Sequence, residues 1–262
     1  ISRAGDLLAR IGGDEFTLLL PDVKSYEDSE HVAQKIIDGL KEPFSINGHE
    51  FFISASIGIA HFPEDGQSMD TLIKHADIAM YHVKGHGKDG YQLFNSGMNE
   101  IYSRHMAMEN DMRRALQGNQ FQIYYQPQVN IETGEVFAME ALIRWNHPVK
   151  GMISPIEFMS IAEETGLILP IGDWVLQKAC EDLNRWRQSG LTDVRVALNL
   201  SVCQLSQDNI VADIINTLKA YDIPGDKFEI EITENVLMKD MENCILKLSK
   251  LNDYGIKIAI DD

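Results

Sequence analysis

Apolar residues along this 262-residue chain follow two different rhythms, and the change between them divides it. In the first part, "LLARIGGDEFTLLLPDV" sets two apolar runs around Gly12-Gly13-Asp14. A glycine pair supplies the positive φ that a tight turn requires, so this stretch predicts a β-hairpin. A helix is predicted over about 28–41, one strand along "HEFFISASIGIAHFP", and a turn at 63–66. A second helix is predicted from Met69 to about Val83, ending before Gly85 and Gly87, with "GYQLF" as a short closing strand. From Asn99 to Leu116, the spacing of Met108, Met112 and Leu116 predicts a connecting helix.

Beyond that helix, apolar strands alternate with helical segments. "FQIYYQPQV", "VFAMEALIRW", "VRVALNLS", "KFEIEITE" and "IKIAIDD" are the five predicted strands. Ser154-Pro155-Ile156-Glu157 carries a capping box with proline at the first helical position. Gly190 ends the long helical segment around 174–186. Such alternation implies parallel strands with crossover helices, as an open doubly wound sheet or a barrel. The expected organisation is a first domain over 1–97, a helical linker over 98–118 and a second domain over 119–262.

A 44% hydrophobic content is sufficient for two buried cores. The formal charge of -17 argues against a general grip on DNA or RNA, which rests on Lys and Arg displacing counterions. A small anionic ligand held through metal ions is compatible with it. Cys180, Cys203 and Cys244 are odd in number and far apart, and suit small core positions in a reducing cytosol. His75, His82 and His86 could be drawn as a metal cluster, but glycines flank His86 and disorder the geometry that helical spacing would need, which favours a solvated or hydrogen-bonded role. No apolar run reaches the roughly 20 residues of a membrane helix. The chain opens at Ile1 without an initiator Met, which leaves room for an upstream sensor or membrane segment.

The acids fall in an informative place. Glu140, Asn199, Glu231 and the pair Asp261-Asp262 lie in or at the ends of successive predicted strands. The intervals are 59 (199 minus 140), 32 (231 minus 199) and 30 (261 minus 231), and the last two match one βα unit of about 30 residues. Strand carboxyl ends form the ligand-binding face of βα folds, so these oxygens converge. Hard oxygen donors of this kind suit Mg²⁺ or Mn²⁺, and more than one ion would offset their repulsion. Arg144 lies four residues after Glu140 on the same strand face, placed to clamp a phosphate.

"YYQPQVNIETGEVFAMEALIRWNHP", "FMSIAEETGLILPIGDWVL", "ALNLSVCQL", "EIEITEN" and "IAIDD" closely resemble the EAL domain, which hydrolyses cyclic di-GMP to the linear dinucleotide. The resemblance runs from Phe121 to Asp262 and implies a (β/α) barrel. It assigns Glu140, Asn199, Glu231, Asp261 and Asp262 as ligands of two metal ions that activate the attacking water. It also implies that Gln126 and Arg144 contact substrate and that Glu234 anchors a neighbouring loop.

"RIGGDEF", "SASIGIAHFPEDG" and "ADIAMYHVKGHGKDGYQLF" resemble the second half of a GGDEF domain, which joins two GTP molecules into cyclic di-GMP. Gly12 and Gly13 let backbone amides approach phosphate. By the resemblance, Asp14 is a metal ligand, Glu15 lies at the reacting end of the nucleotide, and Lys84 and Lys88 face its phosphates. Arg3 and Asp6 match the family's RxxD product-binding site. Mg²⁺ with GTP is implied in this half.

The fold class expected from both resemblances is therefore α/β and α+β: a partial GGDEF sheet-and-helix domain followed by an incomplete EAL-type (β/α) barrel. A closed barrel runs to about 250 residues, with a floor of roughly 200, and Phe121–Asp262 supplies 142. The chain is expected to be an inactive fragment of a cytoplasmic, homodimeric tandem protein that turns over cyclic di-GMP. The GGDEF half would either synthesise cyclic di-GMP or regulate by binding GTP. The alternative for the parent protein is a non-catalytic cyclic di-GMP receptor.

Overall fold

The computed structural model describes residues 5–85, 89–233 and 241–261, with only the backbone described for Asp261. The chain divides into two compact units, Ile1–Met106 and Ala107–Asp262.

In the first unit β1 (Leu7–Gly12) and β2 (Glu15–Leu19) form the predicted antiparallel hairpin. Gly13 sits at φ 51°, the left-handed conformation that glycine adopts without steric cost. The Arg10 Nε donates to the Gly13 carbonyl at 2.8 Å and closes the turn. Helix α1 (Tyr26–Leu40) precedes β3 (Phe44–Ile46) and β4 (His49–Phe51), then β5 (Ser56–Ile59), α2 (Met69–Gly85) and β6 (Gly90–Leu93). The single strand expected along "HEFFISASIGIAHFP" is two strands, β4 and β5. Asn47 and Gly48, both at positive φ, turn β4 back onto β3, while β5 pairs in parallel with β6. One continuous strand could not serve both partners.

Helix α2 packs directly on β5 at Gly58. A Cβ there would stand 1.8 Å from the Ala76 carbonyl oxygen and 2.4 Å from the Met80 nitrogen. Both are backbone atoms, so no rotamer change can relieve the clash. Gly58→Ala is expected to destabilise this unit by about 3 kcal/mol, the upper part of the overpacking range. The check is a chemical denaturation curve followed by far-UV circular dichroism, and an unchanged midpoint would contradict the packing.

Helix α3 (Gly97–Gln117) contributes to each unit separately. Met98 and Tyr102 pack with Ile78 and Ala79 of the first. Met108, Met112, Ala115 and Leu116 belong to a core of the second, where Met112 has no exposed surface.

The second unit is built on one sheet. Its strands are β7 (Phe121–Val129), β8 (Val136–His147), β9 (Gly151–Ile153), β10 (Arg195–Asn199), β11 (Phe228–Thr233) and β12 (Lys257–Asp261). The order is β12-β11-β10-β8-β7, with β9 beside the end of β8. Strands β8, β10, β11 and β12 are parallel as predicted, but β7 is antiparallel to β8. The reason is the connection after β7. Asn130 Oδ1 accepts from the Glu132 and Thr133 amides and Gly134 takes φ 72°, a tight turn, whereas a parallel crossover needs a dozen or more residues. Strand β9 was not predicted; His147 Nδ1 accepts from the Val149 and Lys150 amides and folds the chain back onto β8.

The helices are α4 (Pro155–Glu164), α5 (Ile168–Gln188), α6 (Val202–Leu205), α7 (Ile210–Ala220) and α8 (Met241–Asp253). At the start of α4 the Ser154 amide donates to Glu157 Oε1 at 3.3 Å, one arm of the predicted box. Gly190, at φ 95°, follows the end of α5. One sheet face carries Ala141, Val196, Leu198, Phe228, Ile230 and Ile232, buried against α5, α7 and α8. Alternation then points the residues between them to the opposite face. Among the described residues no helix is long and apolar enough to cross a membrane.

Candidate functional site: the polar face of the sheet

The strand registers decide which side chains share that opposite face. Glu140 pairs with Gln126 on β7 and with Ala197 on β10. Asn199 pairs with Glu231, and Thr233 with Asp261. Since direct partners project to the same side, Gln126, Glu140, Arg144, Asn199, Glu231 and the Asp261 position lie on one face. A one-residue slip in any strand would have sent its member into the apolar core.

Contacts within the face are specific. Asn199 Nδ2 donates to Glu140 Oε1 at 2.9 Å, joining the neighbouring strands β10 and β8. Gln128 Nε2 donates to Glu231 Oε1 at 3.0 Å, although three strand steps separate β7 from β11. The sheet is therefore curled, with the polar side concave. Glu231 is buried, Glu140 and Arg144 are half-buried, and Asn199 is exposed at its strand end. The Arg144 guanidinium lies 5.6 Å from the centroid of the Tyr124 ring and donates one bond to the Ile143 carbonyl. Lower on the same face Arg195 and Glu229 pair at 3.1 Å.

The elements after β10 hold its end in place. Ser201 caps α6, exchanging hydrogen bonds with Gln204. Gly172 of α5 admits the Gln204 amide, since a Cβ at that glycine would stand 1.9 Å from Nε2. The buried Lys247 of α8 donates to the Leu205 and Gln207 carbonyls at 2.8 and 3.1 Å, satisfying the end of α6. An open cavity of about 1020 Å³ lies mainly among α4, α5, α7 and the apolar-face residues Leu198 and Ile230; Arg144, Asn199, Glu231 and Thr233 also line it, whereas Glu140 and Gln126 do not.

The donor set fits a hard divalent cation. Two carboxylates and an amide present oxygen atoms from adjacent parallel strands, and the Asn199 and Gln128 amide nitrogens are turned onto carboxylate oxygens. Among the described residues no three His, Cys, Asp or Glu side chains form a cluster ready for a metal. The Asp261 side chain, Asp262 and Glu234 lie outside the described residues.

In the first unit the turn places Gly12 opposite Glu15, with Asp14 between the strands. Arg3 and Lys88 lie outside the described residues, and Asp6 is at the foot of β1. Asp77 of α2 was missed from the sequence. Its carboxyl is held above its ordinary value, first by partial desolvation and then by Glu15, with Lys84 opposing. Glu15, Asp77 and Lys84 are thus electrostatic neighbours, and the seven-residue step from Asp77 to Lys84 was the available signal. His75 stacks on Phe94 with centroids 4.0 Å apart, and its Nδ1 lies 2.5 Å from the Asp65 carbonyl oxygen. Cys180, Cys203 and Cys244 form no disulfide, and burial pushes the Cys180 thiol up to about 12.

The EAL domain family matches residues 109–262, and the family described as diguanylate cyclase, GGDEF domain, matches residues 1–90. The bifunctional diguanylate cyclase/cyclic di-GMP phosphodiesterase MucR of Pseudomonas aeruginosa is 40% identical over 99% of this chain and 38% of its own length. The cyclic di-GMP phosphodiesterase PdeR of Escherichia coli is 36% identical over 98% of this chain and 38% of its own length. The chain therefore spans little more than a third of these relatives. A solved structure of PaMucR phosphodiesterase in complex with c-di-GMP shares 36% identity, with a TM-score of 0.58 over 60% of this chain and 63% of that one. The EAL enzyme Bd1971 in its cGMP-bound form shares 28% identity, with a TM-score of 0.58 over 63% and 46%. On its sequence match, and with a curled sheet whose polar face carries the acids, this chain belongs to the EAL domain family, joined to a GGDEF-type region that precedes it.

Proposed function

We propose that the whole protein hydrolyses cyclic di-GMP to the linear dinucleotide at the concave face of the second unit. The observation that supports this most is the convergence of Glu140, Asn199 and Glu231 from three neighbouring parallel strands onto one face. Water adds to phosphorus, one ester P–O bond breaks, and the freed ribose oxygen takes a proton.

Glu140, Asn199 and Glu231, with Asp261 and Asp262, would hold Mg²⁺ or Mn²⁺, two ions in all. Such cations lower the pKa of bound water and neutralise charge on the phosphodiester when present. Arg144 engages one of its five N–H groups with backbone, and its planar fork suits a phosphate. The Tyr124 ring beneath it limits its swing. Gln126, beside Glu140, contributes an amide that orients the substrate, and Glu234 anchors the adjoining loop.

In the first unit, we place Gly12, Gly13 and Lys84, with Lys88, around the phosphates of GTP, with Asp14 on its Mg²⁺ and Glu15 at its reacting end. Arg3 and Asp6 would bind the product. Domain limits of 1–97 and 119–262 around a helical linker, a homodimer and a cytosolic location complete the reading.

Incubation of the whole protein with cyclic di-GMP and Mn²⁺, followed by chromatography, is expected to yield linear dinucleotide. Tight binding with the cyclic compound recovered intact would assign a receptor instead. Parallel incubation with GTP and Mg²⁺ separates a cyclase from a GTP-binding regulator, and Asp14→Asn is expected to abolish any product.

A further inference from the structure

Gln128 has no role in the reading above, yet its hydrogen bond to Glu231 crosses three strand steps of the polar face. It follows Gln126 by two residues in "YYQPQV", so both point to the same side of β7. Glu231 is in line with Asn199, Asn199 with Leu142 by continuation of the β8–β10 ladder, and Leu142 with Tyr124. Gln128 lies four residues along β7 from Tyr124 (128 minus 124) and still bonds Glu231. Rolling a sheet about a tilted axis displaces positions at one level by about one residue per strand step, so three steps give about three residues. The contact is thus a bond across the hollow, not along the ladder.

Its chemistry is that of a ligand-orienting group. Glu231 is 7% exposed, so its carboxylate lacks the bulk water that would otherwise satisfy it. A neutral amide donor takes one lone pair of Oε1 without competing for the cation by charge. Ligating carboxylates are commonly held by such partners, whose loss costs about 10- to 100-fold in metal affinity or activity. Strand β7 stands three steps from β11, and the curl of the sheet brings its Gln128 within reach of Glu231.

We propose that Gln128 is a positioning residue for the metal site, fixing the Glu231 carboxylate across the concave face by donating Nε2–H to Oε1. This rests on the assignment of Glu231 as a ligand. The test uses the whole protein and Mn²⁺ alone as probe, titrated by calorimetry below the melting temperature of each variant. Gln128→Met, similar in volume but without a donor, is expected to weaken Mn²⁺ binding about 10- to 100-fold. Turnover of cyclic di-GMP should then recover substantially at saturating Mn²⁺.

Gln128→Asn keeps the amide but is one methylene too short to reach, so it should reproduce the loss. It also serves where the methionine variant does not fold. Wild-type Mn²⁺ affinity in a folded variant, even with a lowered melting temperature, would mean that Gln128 only pins the curl, and overturns the proposal. Glu231→Gln is the control for the underlying reading and should lose affinity and turnover without recovery. If that variant binds Mn²⁺ normally, the ligand assignment itself fails, whatever Gln128 does.

Discussion

Glu140→Ala in the whole protein is expected to lower the rate of linear dinucleotide production by more than about 100-fold, since even an outer partner of a metal ligand costs about 10- to 100-fold. Two losses combine in that one substitution. The carboxylate proposed as an oxygen ligand disappears, and the Asn199 amide from which it accepts at 2.9 Å is released to rotate. Excess Mn²⁺ should recover little, because no neighbouring carboxylate pairs with the Glu140 position in the ladder: its partners are Gln126 and Ala197. Turnover against Mn²⁺ concentration, read beside the melting temperature, is the measurement. Full activity would remove Glu140 from the reaction and with it the central assignment of the site.

Trp145→Ala should produce the largest change in stability of the second unit, about 3–5 kcal/mol. Trp145 has no exposed surface and meets Phe121, Phe158 and His147 at centroid distances of 5.4 to 5.6 Å. Its Nε1 donates to Gln120 Oε1 at 3.1 Å. Truncation removes the ring and leaves a cavity that Ile153, Ile161 and Met112 cannot close without leaving their own contacts. A fall in melting temperature of roughly 10 °C or more is expected for a unit of this size. Trp145→Phe should return much of it, apart from the lost hydrogen bond. Because Arg144 precedes Trp145 on the opposite face of β8, loosening the core at this point should also weaken the hold on substrate phosphate, read as a raised KM.

Much of this was already legible in residue order. The Gly-Gly turn, the capping box at Ser154, the stop at Gly190 and the five apolar strands each depend on neighbours within a few positions, and local chemistry suffices for those. The step of about 30 residues between Glu231, Asn199 and Asp261 also announced a βα repeat with acids in register.

Pairing is a different matter, because the same apolar run accepts either direction and either neighbour. The antiparallel placement of β7, the division of "HEFFISASIGIAHFP" between two sheets and the addition of β9 follow from which edges meet. Periodicity carries no record of that choice. The bond from Gln128 to Glu231 spans 103 positions and exists only because the sheet curls. The sequence alone therefore determined which residues are the candidates for the chemistry and which face of each strand they occupy. The tertiary structure decided which of them touch, because contact across a hollow depends on strand order, register and curvature, quantities that belong to the assembled sheet and not to any strand in it.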